Sequence, residues 1–112
     1  MSTLLPRDDD SAPIPALGLK PGGAHTITIT ATSTRIATAF LPDTRVIGIY
    51  ATGPVFLRLG DATTVATATD HYFPADTYYD LSLGGGKRIQ RTHIAALRAG
   101  SSDCILYVSE KE

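Results

Sequence analysis

The chain has 112 residues, 43% of them apolar, and a formal net charge of −1. That length makes one ordinary domain, able to bury a core without metals or disulfides. The near-neutral charge and scattered arginines exclude the basic surface needed for nucleic acid or an anionic membrane, and no run is long enough to span a bilayer.

Residues 1–23 hold Pro6, Pro13, Pro15 and Pro21, carry Asp8-Asp9-Asp10, and end at Pro21-Gly22-Gly23. Proline removes backbone donors and blocks helix and central strand alike. The segment therefore reads as an extended N-terminal arm, 1–23, hinged by Pro21-Gly22-Gly23 to a domain over 24–112. Its start has Leu4-Leu5 as an apolar patch before Pro6 and three acids, which is no secretory signal. Two fates fit the arm: a solvated terminus, or a strap that orders against a neighbouring subunit by burying Ile14, Ala16, Leu17 and Leu19.

From residue 24 the pattern changes to period two. His25 to Ala31 puts Ile27, Ile29 and Ala31 on one face and three threonines on the other, which predicts a half-buried strand. Arg45 to Ala51 is a second strand, Thr52-Gly53-Pro54 a turn, and Val55 to Leu59 a return with Val55, Leu57 and Leu59 inward. Thr63 to Thr69 reads as an edge strand or a long connection. Asp70 to Thr77 reads as a loop with a short extended piece at Tyr72-Phe73. Tyr78 to Leu83 alternates again, with Tyr79, Leu81 and Leu83 inward, until Gly84-Gly85-Gly86 breaks it. Thr92 to Arg98 and Cys104 to Ser109 form two more strands, joined by a hairpin loop at Ala99-Gly100-Ser101-Ser102-Asp103. Val46 to Leu59 and His93 to Val108 thus read as two similar hairpins, one for each of two sheets.

Seven or eight short strands without a helix predict an all-β fold, an antiparallel β-sandwich of jelly-roll type. An immunoglobulin-like sandwich ranks second, because the chain has no tryptophan to meet that fold's hallmark. The single cysteine, Cys104, opens an apolar stretch and reads as a buried thiol.

Motifs for chemistry are weak. Gly84-Gly85-Gly86-Lys87-Arg88 lacks both the spacing and the helix of a phosphate cradle. His25, His71 and His93 do not share one element at ligand spacing, which leaves His71 with Asp70 and Asp76 as the one candidate ion cluster. Asp8-Asp9-Asp10 lacks the glycine and distal glutamate of a calcium loop. No nucleophile-elbow pattern is present, and nothing selects a carboxylate pair from Asp61, Asp70, Asp76 and Asp80. The expectation is a non-enzymatic protein with no catalytic, metal or cofactor site. The segment Tyr72 to Tyr79 is rich in aromatics, which are enriched at interfaces. One reading puts Phe73 and Tyr79 in the core, with Tyr72 and Tyr78 singly on the surface. Another uses the segment to contact a second chain.

The run Arg45 to Asp61, with its Ala51-Thr52-Gly53 turn and Val55-Phe56-Leu57-Arg58-Leu59-Gly60 strand, resembles small accessory structural proteins of tailed phages and prophages. Thr92 to Ala99 and the closing Leu106-Tyr107-Val108-Ser109-Glu110 are similar to the same type, so about half the chain is covered. The resemblance implies a β-sandwich that decorates or cements a capsid, or sits at the neck or tail of the particle. Its partners would be other virion proteins, including the major capsid or portal proteins, and further copies of itself. The partner-binding residues expected on this reading are Ile14, Leu17 and Leu19 in the arm and Tyr72, Phe73 and Tyr78 in the loop. The competing expectation is a soluble carbohydrate- or ligand-binding module that uses the 70–79 loop and His71 as a cleft.

Overall fold

The structure, a computed structural model, describes residues 18–85 and 89–111. The alternating segments form eight strands: β1 (Leu19–Ile29), β2 (Thr34–Arg35), β3 (Val46–Ala51), β4 (Val55–Gly60), β5 (His71–Phe73), β6 (Tyr78–Ser82), β7 (His93–Arg98) and β8 (Cys104–Lys111). There is no helix among the described residues. Two antiparallel four-stranded sheets, ordered β1-β8-β3-β6 and β2-β7-β4-β5, pack together as a β-sandwich.

Period two decides which side chains meet between the sheets. Ile27 and Ile29, Ile47 and Ile49, and Leu106 and Val108 line the inner face of the first sheet. Val55, Leu57, Ile94 and Ala96 line the second. Full burial of each large aliphatic side chain contributes roughly 1.5–3 kcal/mol. Cys104 joins this core beside Gly53, and burial pushes its thiol above the ordinary value.

The pairing is nested: β1 with β8, β2 with β7, β3 with β6, β4 with β5. The β3–β8 and β4–β7 ladders complete the two sheets. This corrects the two expected hairpins. β3 and β4 lie in opposite sheets, and so do β7 and β8. Thr52-Gly53-Pro54 and the 99–103 loop therefore cross from one sheet to the other and lie side by side. The Ala99 amide donates to the Pro54 carbonyl (2.9 Å), and the Thr52 amide to the Ile105 carbonyl (2.9 Å). Turn residues specify a reversal. Whether the returning strand joins the same sheet depends on burial, and crossing over sets the apolar faces of β3 and β4 against each other.

The first strand begins at Leu19, ahead of the expected domain start at residue 24. The expected hinge Pro21-Gly22-Gly23 lies inside β1. Leu19 pairs with Lys111 and Ala24 with Ser109, so Lys20–Gly23 stand opposite Glu110 alone in a wide bulge. Proline is tolerated there because β1 is an edge strand. Gly22 supplies the positive φ of 75° that the bulge requires. Ile14 and Leu17 lie outside the described residues.

Candidate partner-binding surface

The outer face of the first sheet carries a row of aromatics set by register. Thr26 stands opposite Tyr107, Tyr107 opposite Tyr50, and Tyr50 opposite Tyr78. Three neighbouring strands, β8, β3 and β6, thus each place a tyrosine on one line. Tyr107 is 46% exposed and Tyr78 49%, with Tyr50 half-buried between them.

The two tyrosines of the row nearest β6 are fixed. The Tyr78 ring lies over Gly48, where its hydroxyl occupies the space a Cβ would need. The Lys111 ammonium sits 4.8 Å from that ring's centroid and pairs with Asp80 at 2.8 Å. Asp80, then the Tyr78 hydroxyl, hold Lys111 above the ordinary lysine value. The Tyr50 hydroxyl donates to Asp76 (3.1 Å), and that bond raises its own value. Asp76 is held with a left-handed φ of 59°, its amide donating to the Ala51 carbonyl (2.8 Å). A rigid, half-exposed aromatic surface with polar tips loses little side-chain entropy on contact.

The expected binding residues separate. Tyr78 belongs to the row. Tyr72 lies on the outer face of the other sheet, its ring edge-on to Phe56 at 5.9 Å. Phe73 turns inward and packs edge-on against Tyr79 at 5.1 Å, beside the core. The loop between β5 and β6 crosses the sandwich, so aromatics adjacent in sequence face opposite ways. Leu19 is exposed at the start of β1. Tyr50 and Tyr107, which complete the row, were not singled out from the sequence. Each alternates outward on its strand, but only the β8–β3–β6 register brings them together.

The proposed ion cluster is also dispersed. Asp70 accepts from the Thr67 amide (2.7 Å) and lies 3.4 Å from Arg58 Nε, while Asp76 serves Tyr50. Among the described residues no group of three His, Cys, Asp or Glu side chains converges.

A second polar cluster, which no sequence motif marks, surrounds Glu110. The alternation Leu106, Val108, Glu110 points Glu110 into the sandwich, where it is only 2% exposed. Its carboxylate accepts from the Thr44 hydroxyl (2.6 Å) and the Leu41 amide (2.8 Å), and lies 2.7 Å from His25 Nε2. Burial pushes the carboxyl up, but the bonds from Thr44, His25 and Leu41 outweigh it and hold Glu110 below its ordinary value. Lys20, reaching in from the bulge, donates to Thr44 (2.8 Å) and pairs with Asp43 (2.7 Å). The cluster plugs one end of the sandwich. Its hydroxyl and imidazole both engage the carboxylate, which ties β1, the β2–β3 connection and β8 together.

The chain matches no family model, no curated protein and no solved structure.

Proposed function

We propose that the protein is a non-enzymatic structural component of a tailed-phage particle, a decoration or cement protein that stabilises the head at junctions between capsid subunits. The single observation that carries this reading is the row Tyr107–Tyr50–Tyr78, a preformed aromatic strip on an outer sheet face. Tyrosine is over-represented at protein interfaces because it buries a large ring and keeps a polar tip. The resemblance of residues 45–61 and 92–110 to phage accessory proteins supports the same reading. So does the nested strand order, which is how a jelly-roll sandwich is wound.

Adhesion would then come from surface burial repeated by symmetry, so that modest contacts per copy sum to a large avidity. The protein would assemble as a homo-oligomer and reside in the virion. A neck or tail position is the variant of this reading with fewer copies per particle. The soluble ligand-binding reading is favoured by one observation of its own, the cleft beside His71.

Peptide mass spectrometry of purified particles tests the proposal. Copy numbers comparable to the major capsid protein are expected, and about a dozen per particle would move the protein to neck or tail. Absence from particles would overturn the virion role. Tyr107→Ala is expected to stay folded and to lose attachment to capsids in a co-sedimentation assay.

A further inference from the structure

Between the edge strands β5 and β6 the two sheets part, and a cleft of about 630 Å³ opens. This lies within the range of roughly 300–1,000 Å³ that small-molecule sites occupy. Its floor is apolar, formed by Leu59 of β4 and Leu81 of β6 over the buried Leu57. Its rim is polar and is drawn from Arg58, Asp70, His71, Ser82 and Arg91. His71 stands directly opposite Leu57 in register. Paired residues project to the same side of a sheet, so the imidazole is turned toward the floor.

The charges of the rim are not equivalent. Asp70 is bound by the Thr67 amide and hydroxyl (2.7 and 3.2 Å) and lies 3.4 Å from Arg58 Nε, so these two charges offset each other. Arg91 meets the Ile89 carbonyl at 3.5 Å, and among the described residues no carboxylate pairs with it. Among the described residues the cleft therefore presents one guanidinium without a carboxylate partner, an imidazole and a hydroxyl above an apolar floor.

That combination selects a ligand class. A purely apolar molecule would strip water from Arg91 without replacing it. A polyphosphate would bring several charges to a site whose described residues offer one unpaired cation, and would meet the Asp70 carboxylate. A sugar ring with one carboxylate fits both halves: its apolar face covers the leucines, and a planar guanidinium receives a carboxylate in bidentate fashion. We infer that the cleft between β5 and β6 is a binding site for an acidic saccharide, a uronic- or sialic-acid unit whose carboxylate pairs with Arg91 and whose ring lies on Leu59 and Leu81. The site is separate from the tyrosine row and independent of the assembly role, so either can fail alone.

The test is a titration of the full chain followed by NMR, with trigalacturonic acid and N-acetylneuraminic acid as acidic probes, neutral galactotriose as the counterpart, and sodium acetate as the bare anion. At least one acidic probe is expected to bind with a Kd on the order of 0.1–1 mM and to shift the signals of His71, Ser82 and Arg91. Arg91→Gln is expected to weaken it about tenfold, the loss of one charge-assisted pair, while Tyr107→Ala leaves it unchanged. Should Arg91→Gln fail to fold, His71→Ala reads the same cleft, and unchanged affinity there overturns the assignment. Equal binding of galactotriose, displacement by acetate at matching concentration, or no binding of either acid at about 10 mM would each overturn it as well.

Discussion

Strand β8 passes through two kinds of interior. From Cys104 to Val108 its inward side chains meet only apolar neighbours, and the strand is held by area removed from water. Two residues on, Glu110 is as deeply buried but is held by three donors from two segments, His25 of β1 and Leu41 and Thr44 of the β2–β3 connection. The apolar half tolerates changes of pH and salt and punishes lost volume. The polar half tolerates a change of shape poorly for another reason, because any missing partner leaves a buried polar group unsatisfied.

The largest expected effect falls on the apolar half. Leu106→Ala leaves a cavity between the sheets and is expected to cost about 2–5 kcal/mol in denaturant unfolding, by the same amount at pH 7 and pH 5. A loss that depended on pH would blur the two regions into one.

Glu110→Gln comes next. It keeps the shape but removes the charge, and is expected to cost about 1–3 kcal/mol at pH 7. The folded carboxyl sits below its ordinary value of 4.5, so the unfolded chain takes up the proton first as acid is added. The stabilisation is complete above that ordinary value and is lost as pH falls through the lower folded one. Melting curves of the wild type and the variant should therefore converge at acid pH. Curves that stay parallel would show that the Glu110 charge does not anchor this end.

Truncation separates the two regions at the chain's start. A chain beginning at Gly18, the first described residue, is the reference. One beginning at Ala24 loses Lys20 with its bonds to Asp43 and Thr44, and is expected to melt at a lower temperature. Equal melting of the two would place the bulge outside the polar plug.

The smallest effect lies on the surface. Gly48→Ala puts a methyl group where the Tyr78 hydroxyl rests, and is expected to cost about 1 kcal/mol or less while displacing that ring from the row. Reduced capsid attachment with near-normal stability is the expected signature. A large stability loss would make Tyr78 part of the framework.

Local pattern was enough for most strands. Alternation in Val46–Ala51, Val55–Gly60, Tyr78–Ser82 and Cys104–Lys111 marks both the element and its inward face. The start of β1 was hidden because Pro21-Gly22-Gly23 has the composition of a hinge, and only its edge position and bulge let it serve as strand. Register was hidden for a deeper reason. Tyr50, Tyr78 and Tyr107 belong to three distant segments, and nothing in any one of them specifies the other two. Tyr72 and Tyr78 gave the opposite illusion: close in sequence, they are carried to opposite faces by the loop that crosses between the sheets. Glu110 could have been read from the alternation that buries it, since a carboxylate at an inward position demands donors.

The nested pairing also sets when this protein can fold. β8 lies between β1 and β3, so the first sheet has no continuous centre until its last strand has been made. A nascent chain ending at Asp103 carries β1 and β3 with their β8-facing edges open, and exposed edges invite pairing with other chains. Folding therefore waits for β8, is governed by the closing of long-range ladders, and is expected on roughly the millisecond-to-second scale of such topologies. Crowded translation of many copies would expose those open edges to one another until β8 closes them.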